Sequence, residues 1–91
     1  MRYGGANKRR DLNEPAIIDA LKKAGVMVRQ AHMPGFADLV AYTKERGLFL
    51  LEVKGPTGKL TRDQIKHTAE GWPVQIVRSP ADALAIFGIY Q

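Results

Sequence analysis

Three charged side chains in this sequence stand where charge is costly: Asp38, Glu52 and Lys54. Glu52 and Lys54 close the run Gly47-Leu48-Phe49-Leu50-Leu51-Glu52-Val53-Lys54. Up to Glu52 that run is apolar at successive positions, as in a strand buried on both faces. Ionised groups ending such a strand need a partner, because burying them alone is expensive. Side chains alternate along a strand, so Glu52 and Lys54 share a face. Two carboxylates meeting at a polar point suit a hard divalent cation such as Mg²⁺ or Mn²⁺. Such a cation polarises a phosphate oxygen and activates water, while a neighbouring ammonium offsets charge in the transition state. The chemistry indicated is phosphodiester hydrolysis. The same residues also fit a plain cross-strand ion pair between Asp38 and Lys54.

Which reading holds depends on the hairpin that brings Asp38 to Glu52. Ala37 to Thr43 reads as a strand, and Glu45-Arg46-Gly47 as a loop with Gly47 in the left-handed position. That loop pairs Lys44 with Leu48, Tyr42 with Leu50, Val40 with Glu52 and Asp38 with Lys54. Asp38 then lies diagonal to Glu52 on one face, roughly 7 Å away between Cα atoms. A one-residue slip would separate them; a register differing by two in the residue sum would not.

The remaining elements frame this hairpin. Leu12, Ala16, Ile17, Leu21 and Ala24 recur at helical spacing over 11–24, with Asn13 as N-cap, Pro15 in the first turn and Gly25 as the stop. Glu14 shares the face of Ile17 and Ile18, either as a first-turn acid that complements the helix dipole or aimed at a charged partner. Val26 to Gln30 reads as a strand, broken by His32-Met33-Pro34-Gly35. After the loop Gly55-Pro56-Thr57-Gly58, a helix runs from Thr61 to about Glu70, closed by Gly71. A short strand covers Val74 to Val77, and Ser79-Pro80 caps a last helix over Ala81 to Phe87. The order gives a mixed α/β sandwich, with the second helix long enough for a parallel crossover.

Composition narrows the setting. The chain has 91 residues, 45% hydrophobic and 25% charged, enough for one domain. Residues 1–10 read as a flexible basic arm carrying Lys8, Arg9 and Arg10, and 11–91 as the domain. No cysteine is present, which excludes disulfides and Cys-based zinc sites. No apolar run spans a membrane and the N-terminus lacks a signal-peptide stretch, so a cytoplasmic protein is expected. A net charge of +5 favours polyanions, and the small core makes a homodimer attractive.

Taken in order, Glu14, Gly35, Asp38, Glu52, Lys54, Gly58, Leu60, Thr61, Gln64 and Gly71 resemble the VRR-NUC domain of the PD-(D/E)xK nuclease superfamily. The resemblance covers residues 11 to 88 and rests on order and spacing together. It implies a restriction-endonuclease-like αβββαβ core, with a mixed sheet flanked by helices. It implies that Asp38, Glu52 and the Val53 carbonyl bind Mg²⁺ or Mn²⁺, and that Lys54 positions the attacking water. Glu14 would reach the metal or its waters, and Gln64 would complete the site. Thr61-Arg62-Asp63-Gln64 also fits a capping box, which competes for the Gln64 side chain. Small standalone members resemble junction resolvases that act as homodimers.

Lys59, Arg62 and Lys66, with His67, surround the second helix and would hold a DNA backbone beside the site, or form a solvated face. His32 reads as a surface histidine, Tyr42 and Trp72 as core or interface. No major-groove recognition helix is apparent. The expected function is a metal-dependent, structure-directed DNA endonuclease. The alternatives are a non-catalytic nucleic-acid-binding module of the same fold and a partner protein without affinity for nucleic acid.

Overall fold

The computed structural model describes residues 4–33 and 36–90. Helix α1 (Gly4–Lys23) leads to β1 (Met27–Met33), β2 (Ala37–Thr43), β3 (Gly47–Val53), α2 (Arg62–Ala69), β4 (Val74–Val77) and α3 (Pro80–Ile86). The strands form one sheet in the order β1-β2-β3-β4. The first two pairings are antiparallel and the last is parallel. The chain is therefore α/β, with α2 as the crossover between β3 and β4. β3 pairs on both sides, as its apolar run requires.

Alternation divides the sheet into two unlike faces. Leu39, Ala41, Leu51, Val53 and Val77 are buried together with Ile17 and Leu21 of α1 and Ala83, Leu84 and Phe87 at α3. Each such large aliphatic side chain contributes about 1.5–3 kcal/mol by leaving water. The alternate residues Asp38, Val40 and Tyr42 of β2, and Leu48, Leu50 and Glu52 of β3, point to the opposite face. There α2 lies against Glu52, Val74 and Ile76. Among the described residues, no helix is long and apolar enough to cross a membrane.

The hairpin register differs from the expected one. Thr43 pairs with Gly47, Val40 with Leu50 and Leu39 with Leu51, so the residue sum is two lower than the expected pairing. The Thr43 hydroxyl accepts the Arg46 N–H at 3.0 Å, which closes the turn early. The loop is therefore Lys44-Glu45-Arg46, and Gly47, at φ +88°, already belongs to β3. The shift is even, so Asp38 and Glu52 keep a common face.

Helix α1 starts earlier than the periodicity indicates. Residues 4–10 of the segment read as an arm lie in the helix, and residues 1–3 fall outside the described residues. Pro15 is thus inside the helix and Asn13 is not its N-cap. Glu14 likewise lies beyond the first turn, which removes its dipole role. The far end behaves as read: Gly25, at φ +87°, closes the helix while Val26 N–H returns to Leu21 O at 2.9 Å.

Candidate active site

Asp38 enters the sheet where the β1–β2 ladder is irregular. Gln30 pairs with Leu39 and Met33 with Ala37, so Ala31 and His32 both oppose Asp38 as a β-bulge. Bulges bend a strand and re-aim the side chain across from them. His32 is thereby in a strand rather than a loop; residues 34 and 35, the Pro-Gly of the expected turn, fall outside the described residues. Phe36, immediately before β2, packs edge-on against His67 at 4.8 Å and Trp72 at 5.2 Å between ring centroids.

Continuing the β2–β3 register places Asp38 opposite Glu52. Both are buried, at 9% and 3% exposure. Asp38 Oδ2 accepts the Val53 N–H at 2.8 Å, a charge-assisted bond that fixes its carboxylate across the strand end. Glu52 is held from above by α2, where Gln64 Nε2 donates to Glu52 Oε2. Gln64 also completes the capping box: its Oε1 accepts Thr61 N–H at 2.7 Å, and its own N–H donates to Thr61 Oγ1 at 3.2 Å. The two roles that the sequence sets in competition coexist, because the amide supplies an acceptor for the cap and a donor for the carboxylate.

Lys54 follows at the end of β3, two residues beyond Glu52 and half-buried. Its main chain is tied on both sides. Lys54 N–H donates to Val77 O at 3.0 Å, and Lys54 O accepts from Asn13 Nδ2 at 2.8 Å. The same Asn13 amide reaches Arg78 O at 3.1 Å. Arg78 Nη1 in turn donates to Gly55 O and Gly58 O, each at 2.8 Å, and so shapes the loop from β3 to α2. Asn13, Phe36 and Arg78 thus support the site without having been singled out for it. Only Asn13 carried a sequence signal, and that signal was for a helix cap.

Glu14 is buried as well, at 8% exposure, but its Oε2 accepts Gln30 Nε2 at 2.9 Å. Gln30 shares the sheet face of Leu39, which α1 covers, whereas Asp38 and Glu52 belong to the other face. Among the described residues, no three His, Cys, Asp or Glu side chains gather closely enough to hold a metal together. Glu14 is therefore not brought to the Asp38–Glu52 pair. Lys59, Arg62 and Lys66 are exposed, Arg62 and Lys66 on the side of α2 opposite to Gln64, His67 and Thr68, which face the sheet. His67 is instead half-buried against Phe36, with Nδ1 3.7 Å from Glu70 Oε1. Tyr42 and Trp72 are 39% and 52% exposed, so neither is core.

Two opposed carboxylates suit a small, hard cation that keeps most of its waters, rather than an ion needing a full protein cage. Asp38 and Glu52 supply such a pair of carboxylates, with no third His, Cys, Asp or Glu joining them among the described residues. Comparison of the chain with family models, with curated proteins and with solved structures gave no match.

Proposed function

We propose that this protein is a metal-dependent DNA endonuclease of the VRR-NUC type, built on a restriction-endonuclease-like core. The observation that carries the reading is the opposition of Asp38 and Glu52 on one sheet face, with Lys54 two residues further along. The helix, three-strand meander, helix and parallel fourth strand agree with such a core. The bound ion would supply Lewis acidity at the scissile phosphate, held by Asp38 and Glu52 and, as the resemblance implies, the Val53 carbonyl. Gln64 orients the Glu52 carboxylate, a supporting contact of the kind that tunes metal ligands. Lys54 orients the attacking water and offsets the charge that develops on the phosphate. Glu14, which accepts from Gln30 on the opposite face of the sheet, takes no part in the reaction. Lys59, Arg62 and Lys66 give backbone contacts, which set register without reading sequence. That pattern favours a substrate chosen by shape, a junction or a flap, and a homodimer would present two such sites.

The test is incubation of the purified protein with labelled duplex, flap and four-way-junction DNA in Mg²⁺, Mn²⁺ or EDTA. Cutting that needs the metal and prefers a branched substrate is expected. Retained DNA binding without cutting under any condition would transfer the protein to the class of non-catalytic binding modules.

A further inference from the structure

The half of the site-bearing sheet face that α2 leaves uncovered carries a cation. Arg29 of β1 pairs with Val40, and Val40 with Leu50, so Arg29 points to the face of Asp38 and Glu52. The phase of β1 is fixed independently: its neighbour Gln30 bonds Glu14 of α1, which packs on the opposite face. Arg29 lies opposite the residue two along from Asp38, a diagonal of about 7–8 Å between Cα atoms. From Glu52 on β3 it is two strand spacings across and two residues along, about 12 Å. Arg29 is exposed, and the next row of the face is open too, with Met27 68% and its partner Tyr42 39% exposed.

We propose that Arg29 is a substrate-binding residue, whose guanidinium holds a DNA backbone phosphate flanking the one that lies at Asp38 and Glu52. The proposal rests on the nuclease reading for the identity of the substrate. Lys54, two residues beyond Glu52, lies on one side of the Asp38–Glu52 row, and Arg29, in the row of Val40 and Leu50, lies on the other. A strand bound across this face therefore meets positive charge on both flanks, while the acids between them receive the metal-bound phosphate. Planar, forked guanidinium donors suit phosphate oxygens. The edge position of β1 leaves a passing strand free of steric obstruction from a further strand.

The test separates this contact from cleavage. Binding of labelled DNA is followed by fluorescence anisotropy in EDTA over a range of KCl concentrations. The proteins are the wild type, Arg29→Ala, Arg29→Lys and Lys23→Ala, the last removing a charge from the exposed side of α1, away from Arg29. Losing one phosphate contact reduces the slope of log K against log salt by about 0.9. Arg29→Ala is expected to show that reduction, with Arg29→Lys and Lys23→Ala close to wild type. An unchanged slope for Arg29→Ala, an equal loss in Lys23→Ala, or absence of DNA binding by the wild type would overturn the proposal. A wild type that binds with the expected Arg29 effect yet never cuts would refute the nuclease and leave the contact standing.

Discussion

At the residue scale the proposed chemistry divides its labour among three neighbours. Asp38 and Glu52 supply negative oxygen, and Lys54, two residues beyond Glu52, supplies a cation on the same face. Replacing Lys54 by Ala removes transition-state stabilisation without removing the carboxylates. We expect single-turnover cutting to fall about 100-fold or more, with DNA affinity in EDTA and Mn²⁺ binding close to wild type. Robust cutting by Lys54→Ala would contradict the mechanism. The common face of Asp38 and Glu52 was legible in the sequence because their residue types break the pattern of an apolar strand. The partner of Glu14 was not legible: whether an acid on a helix faces a metal or a glutamine depends on the strand phase of β1. Gln64 was half legible, since a capping box is a local pattern, while its donation to Glu52 spans two elements.

At the element scale, two junctions hold the trio in place. The start of α2 is one. Thr61→Ala removes only the cap and should cost about 1 kcal/mol, with cutting largely retained. Gln64→Ala removes the cap and the hold on Glu52, so it should cost similar stability but also lower cutting by about 10-fold or more. Thermal melting and cleavage rates measured on both variants separate the roles; equal cleavage in the two would deny Gln64 a part in the site. The second junction is Asn13, whose amide ties the ends of β3 and β4 to α1. Asn13→Ala strands two carbonyls and should lower stability by about 1–3 kcal/mol. For a chain of this size that means a fall in Tm of several degrees, on the order of 4–8 °C per kcal/mol. An unchanged melting curve would show that the tie carries no weight. Element types were readable from periodicity and caps, as α2, α3 and β2 to β4 illustrate. The beginning of α1 was not, because residues 4–10 lack an apolar stripe. Nor was the hairpin register, which turns on one hydroxyl, that of Thr43.

At the scale of the whole molecule, the sheet presents one covered face and one partly open face, and the candidate site belongs to the second. The small core of a 91-residue chain makes association of two copies attractive. We expect light scattering to give about twice the 10.1 kDa chain mass; a monomer at working concentration would rule out the homodimer. The net charge of +5 sets the sign of the molecule's field, and DNA affinity should fall steeply as salt rises.

The central claim is that the buried carboxylate pair makes this fold cut DNA through a divalent cation. Cleavage of branched DNA in Mg²⁺ by the wild type and by Glu52→Ala, side by side and with EDTA controls, tests it most directly. The wild type is expected to cut, EDTA to abolish that cutting, and Glu52→Ala to lack it. Equal cutting by Glu52→Ala, or cutting that persists in EDTA, would contradict it.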